Sequence, residues 1–215
     1  MSASGIREPF QEFKENIHKA RELIRLAELK EITILIDNKV LEPLKALGIT
    51  RFPPPPLPPL PGFPSPEELH NLIRETTNKI YEVGLPQVLV FAVSCLEAYL
   101  KDQYRLLNPT DPKRDKYNFL RAELVRKVYS AVLKRDVLKG NDPLERAIRE
   151  IVIKRHVIVH RACIIDEKAC LDGLERKLVG TKLPLSSKVV GEDLDKIELF
   201  ASLIYDSVKT ALRKG

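Results

Sequence analysis

The segment from Phe52 to Pro66 holds nine prolines, in Pro53-Pro54-Pro55-Pro56-Leu57-Pro58-Pro59-Leu60-Pro61 and then Pro64 and Pro66. Proline has no backbone N–H and fixes φ near about −65°, so such a run forms neither a helix interior nor a central strand. It is expected to take the polyproline II form and to divide the chain. The division gives an N-terminal helical segment over residues 1–51, a proline-rich linker over 52–66 and a helical bundle over 67–215, packed together as one domain. The linker reads as a stiff spacer across the bundle surface; docking into an aromatic groove on another protein is the alternative.

On either side of the prolines the apolar residues recur at helical spacing. Phe13, Ile17, Ala20, Ile24 and Ala27 mark a helix from Phe10 to about Leu47, with Pro43 perturbing its end and the β-branched stretch Ile32–Ile36 open to a strand. Ser65-Pro66-Glu67-Glu68 has the N-cap, first-position proline and acidic first turn that start a helix. That helix reaches Tyr81, is interrupted at Gly84 and Pro86, and continues to Leu107. Its second half, Val88 to Leu96, is apolar all round and is expected at the centre of a bundle. A loop over Asn108–Pro112 leads to a third helix from Asn118 to Leu138, stopped by Gly140-Asn141. Asp142-Pro143 opens a fourth helix that runs to about His160. A short helix near Asp166–Leu178 follows, and Asp193 is read as the cap of a last amphipathic helix carrying Leu194, Ile197, Ala201, Ile204, Val208 and Ala211. Helix after helix predicts an all-α bundle of about five main helices.

Composition narrows the setting. Hydrophobic residues are 44% and charged residues 31%, a globular balance. No apolar run is read as approaching the roughly 20 residues that span a bilayer, so no membrane association is expected. Met1 to Glu8 lacks the charged and apolar regions of a secretory signal, and Cys95, Cys163 and Cys170 are too few and uneven for a disulfide framework. A cytoplasmic protein is expected. The net charge of +6 leans towards a polyanionic partner such as RNA or DNA. Abundant Glu, Lys, Arg and Ile with a single Met suggests a thermophilic source.

The fourth helix carries the residues with chemical potential. On a helical wheel Leu144, Ile148, Ile151, Val152, Ile158 and Val159 form one apolar stripe, with Arg155 near its centre. His156, His160 and Arg149 share a flank roughly 100–140° round from it. An arginine facing a core must be paired or sit at a cleft or interface. Glu97, a carboxylate in the apolar second helix, is the expected partner, joined to Arg155 by fork-like hydrogen bonds. Three readings fit the cluster. One is a structural Arg–Glu pair with both histidines on the surface. Another is a zinc site from His156, His160, Cys163 and Cys170, although a Cys-x6-Cys spacing is unusual for zinc. The last is metal-free acid–base work on a phosphodiester, in which histidine moves a proton and arginine stabilises the developing charge.

The segment Glu150 to Arg161 resembles the signature of the HEPN superfamily: an arginine, a polar residue and, after four to six intervening residues, a histidine late in a bundle helix. Here Arg155, His156 and His160 take those places, and Arg149 stands at the same kind of spacing from His156. Phe91 to Asp102 resembles that superfamily's earlier core helix, which often carries an acid at the place of Glu97. The resemblance implies a bundle that forms a homodimer through the motif helix, with both copies lining one RNA-binding cleft. It implies a metal-independent endoribonuclease that needs no cofactor, often a toxin or defence effector with an antitoxin or other protein partner. His160 would then act on the 2′-hydroxyl proton and Arg155 on the phosphate, with His156 assisting and Glu97 orienting Arg155. Other members are non-catalytic RNA- or protein-binding scaffolds. His156 stands here where an asparagine is common.

Overall fold

The computed structural model describes residues 3–36, 71, 75, 80–113 and 116–213, with side chains described from residue 8 to 25 and, in the second half, from residue 82 onward. The proline run, Pro43, the cap at Ser65 and the expected segment boundaries lie outside the described residues.

The described residues form an all-α helical bundle. Helix α1 spans Ala3–Ile36, so the β-branched Ile32–Ile36 is helical backbone rather than strand. Phe13, Ile17, Ala20 and Ile24 are buried, as their spacing predicts. A π-helical turn at Ile80–Gly84 then feeds α2, Leu85–Leu107. The expected interruption is thus a widened turn: Pro86 removes one N–H, and its ring would clash with the carbonyl of residue 82 in a regular helix.

Helix α3, Ala122–Leu133, is shorter at both ends than the spacing predicts. At its start the Asn118 side chain accepts from Leu120 N at 3.0 Å and holds a turn. At its end Lys134 adopts φ 51° and its N–H returns to Ser130 O, a left-handed cap. Val137 and Leu138 still reach the core, from a turn in which Leu138 N donates to Asp136 Oδ1 at 3.0 Å.

Helix α4, Asp142–Arg161, has Pro143 in its first turn and Asn141, not Asp142, in the capping position. Asp142 instead joins Arg126, whose guanidinium also binds Asp136 and Glu145 and so ties α3 to the start of α4. Gly173, at φ 148°, divides the expected short helix into α5, Glu167–Asp172, and a 3-10 turn at Arg176–Leu178. Helix α6, Ser187–Leu212, is capped by Ser186, whose hydroxyl accepts from Val189 N at 3.2 Å. Asp193 is therefore not a cap. It lies in the second turn, 1% exposed, among Val190, Leu194 and Ile197.

Helices α2 and α6 pack on each other and form the middle of the bundle. Helix α1 covers them on one side and α4 on the other, with α3 packed beside α4. Tyr99 of α2 donates to Ala201 O of α6 at 3.3 Å, and Tyr129 of α3 donates to Leu100 O of α2 at 2.6 Å. Arg21 of α1 forks onto Asp195 and Glu198 of α6 at 2.7 and 2.8 Å. Phe10 stacks on Tyr205 with ring centres 4.2 Å apart. The stretch 82–107 is long and apolar enough by length and composition to cross a membrane, which corrects the expectation that no run approaches that length. Its Leu85, Val88, Leu89, Ala92, Val93, Leu96, Tyr99 and Leu100 are buried inside this bundle.

Candidate functional site

Helix α4 is buried along Leu144, Ile148, Ile151 and Ile158, and also along Ile153 and Val157 on its other side. What remains open is the sector holding Arg149, His156, Val159 and His160. The helix is thus rotated from the orientation that the wheel predicts. Val159 belongs to the open edge at 44% exposure, and Val152 is half-buried. Arg155 sits at the border between core and edge, half-buried. Its Nε is buried and has no hydrogen-bond partner among the described residues.

The charge that fixes this rotation is Lys154. Its Nζ lies 2.6 Å from Asp193 Oδ2, with side-chain exposures of 17% and 2%. Lys196 of α6 approaches the other oxygen of Asp193 at 3.6 Å. Removing a carboxylate from water is expensive unless it is paired, so this contact locks α4 to α6 in one register. The sequence carried a signal for it. Asp193 stands in the middle of the apolar stripe of α6, the same anomaly that draws attention to Arg155.

The expected fork between Arg155 and Glu97 is not formed. Glu97 Oε1 instead contacts Lys101 Nζ, four residues on along α2, at 2.6 Å. A neighbour at that spacing on the same helix is always within reach, whereas a cross-helix fork needs matching register. Glu97 therefore reads as a satisfied edge carboxylate, and the buried Nε of Arg155 is left without a partner among the described residues.

The two histidines do come together. Their ring centres are 4.6 Å apart, with the rings inclined at 46°. Both are exposed. His156 is held below the ordinary imidazole range, chiefly by partial desolvation and then by the positive charges of His160, Lys168 and Arg161; Asp166 opposes them. The neutral form of His156 is favoured as a result. Arg161 is balanced by Asp166, whose Oδ2 accepts from its Nε at 2.7 Å. The other oxygen of Asp166 caps α5 by accepting from Ala169 N at 2.8 Å, and these bonds hold its carboxyl below the usual range. Arg161 ends α4 one residue after His160, and the turn at Ala162 and Cys163, with φ of 47° and 66°, brings Asp166 and Lys168 back near His156, which no helical wheel of α4 contains.

The four-ligand zinc arrangement is not assembled. Cys170 Sγ points to Glu175 O at 3.3 Å, and among the described residues no three His, Cys, Asp or Glu side chains gather as a metal group. The site is a basic edge with one neutral-leaning imidazole, a second imidazole against it and an arginine with an unused donor.

Fold and site together define an all-α bundle protein with an exposed His–Arg edge on one core helix. No protein-family model, curated protein or solved structure matches the chain.

Proposed function

We propose that the chain is a HEPN-like, metal-independent endoribonuclease acting in the cytoplasm, of the toxin or defence-effector kind, whose site is the Arg155–His156–His160 edge of α4. The observation that carries this reading is the unpartnered Nε of Arg155 beside two exposed imidazoles. A half-buried guanidinium whose buried Nε lacks a partner suits a phosphate if the side chain swings out to meet it, since a phosphate accepts two N–H groups side by side. Cleavage by a neighbouring 2′-hydroxyl needs a base for that proton and a cation for the charge gathering on phosphorus. His160 takes the proton as the 2′-oxygen bonds to phosphorus, Arg155 holds the phosphate oxygens, and the P–O5′ bond breaks as the 5′-oxygen leaves with a proton returned by the protonated imidazole or by water. His156, leaning neutral 4.6 Å away, stands ready to accept or relay it. The net charge of +6 draws the RNA backbone towards the edge and makes binding salt-dependent.

A homodimer through α4 would place two such edges on one cleft, and the exposed Val159 beside Arg155 is the apolar contact such an interface needs. The second reading, a non-catalytic scaffold that binds RNA or protein, is favoured by one observation: Glu97 binds Lys101 and leaves Arg155 without an orienting carboxylate.

Incubation of the protein with mixed RNA in EDTA separates the two. The enzyme releases fragments ending in a 2′,3′-cyclic phosphate and leaves 2′-deoxy-substituted RNA whole. Retention of intact RNA on the protein, with no new ends, supports the scaffold instead.

A further inference from the structure

We propose that His156 and His160 form a two-point chelating site for a borderline divalent cation, zinc, nickel or copper(II), with water completing its coordination. The binding stands on the geometry of the pair. Its consequence, closure of the RNA site by the metal, rests on the ribonuclease reading above.

The spacing is the first argument. Residues four apart on a helix present their side chains to the same solvent, one turn above the other. Two imidazoles bound through one nitrogen each at about 2.1 Å to a single cation have ring centres roughly 4.6 Å apart at a bond angle of about 90° and roughly 5.3 Å at about 110°. The ring centres of His156 and His160 are 4.6 Å apart before any metal is present. The rings therefore stand close enough to share one cation after ring rotation, and the exposure of both leaves the outer positions to water.

The surrounding charge is the second. Arg161, next to His160 in the chain, is already paired with Asp166, which reduces its repulsion of a cation at the pair. Arg149, on the same flank, and Lys168 remain as opposing charges, so the site is moderate rather than tight. Imidazole nitrogens select copper, nickel and zinc over magnesium and calcium. The cysteines do not complete the set, since Cys170 is turned to Glu175 O.

Titration of the full chain with copper(II), nickel, zinc and magnesium chlorides, followed by calorimetry, tests this. The expected result is one cation per chain, copper tightest and magnesium silent. Binding should weaken by roughly tenfold or more in His156→Ala and in His160→Ala, and stay unchanged in His18→Ala. In the parent protein, zinc should also shift the imidazole proton resonances of two histidines of the four, a readout that needs no variant. Absence of binding, or binding that survives both substitutions, overturns the proposal. An RNA assay run alongside keeps the two claims apart: zinc binding without RNA cleavage removes only the ribonuclease reading, and cleavage without zinc binding removes only the metal site.

Discussion

Lys154 of α4 and Asp193 of α6 meet at 2.6 Å inside the bundle, and this pair decides which face of α4 is left for chemistry. With Lys154 turned to α6, Arg155 comes to the border of the core and His156 and His160 to the open edge. The two ends of the pair are unequal, since Asp193 is nearly sealed and Lys154 retains some contact with water.

Asp193→Ala is expected to destabilise the fold by about 3 kcal/mol, because it leaves Lys154 partly buried without its partner. Chemical denaturation gives the value directly. Replacing both residues by Leu should recover most of the loss. A single substitution that changes stability by less than about 1 kcal/mol would show that the pair does not hold the helices together.

How much of this was legible beforehand is clear from the same residues. The helical periodicity of Phe13, Ile17, Ala20 and Ile24 and of Ile197, Ala201, Ile204 and Val208 placed two core helices correctly. A charge in an apolar stripe does need a partner, but the partners differ from the expected Arg155 and Glu97: Lys154 pairs with Asp193 and Glu97 with Lys101. Pairing across helices depends on register, which no single helical wheel contains. Asp193 has a residue type common at caps, but Ser186, seven positions earlier, holds that place. The ends of α3 were missed for a related reason: Asn118 and Lys134 form local turns that periodicity does not register.

Ala162 closes α4 with φ 47° and is exposed, a conformation in which a Cβ is strained. Ala162→Gly should stabilise the protein by up to about 1 kcal/mol, the strain relieved outweighing the added freedom of the unfolded chain. A shift of the denaturation midpoint to lower denaturant would contradict this account of the turn.

Acid should unfold the protein through carboxylates held low in the folded state. Asp136, hydrogen-bonded chiefly to Arg126, and Asp166, bonded to Ala169 N and then to Arg161, both titrate below their unfolded value. Their contribution is complete above the unfolded carboxylate range, about pH 4, and is lost as pH falls through the folded values. Thermal melts between pH 2 and 7 should show stability dropping at the acid end, with a shallower drop in Asp136→Asn. An equal slope in parent and variant would remove Asp136 from the explanation.

At the alkaline end, Tyr104 is pushed up to about 12, first by burial and then by its hydrogen bond to Asp111 at 2.7 Å. A raised tyrosine keeps its proton in the folded state after the unfolded chain has lost it near pH 10, so stability should fall as pH rises beyond about 10. Ultraviolet titration should show Tyr99, Tyr104 and Tyr129 all ionising late, and the first of these late steps, near pH 12, should disappear in Tyr104→Phe.

Glu97→Gln distinguishes the observed contacts from those the motif resemblance implies. With Glu97 bound to Lys101 and not to Arg155, RNA cleavage should stay within about threefold of the parent, far from the hundredfold losses that follow removal of a proton-transfer group. A loss as large as that of Arg155→Ala would mean that the carboxylate reaches the guanidinium when RNA is bound.

On the proposed reading, Arg155 and His160 together cut RNA without a metal. The direct measurement is the single-turnover cleavage rate of one RNA in EDTA for the parent, Arg155→Ala and His160→Ala, with circular dichroism confirming that each is folded. Cleavage by the parent and a fall of roughly a hundredfold or more in each variant is the predicted result. Equal rates in all three, or no cleavage by the parent at any protein concentration that permits a dimer, would contradict it.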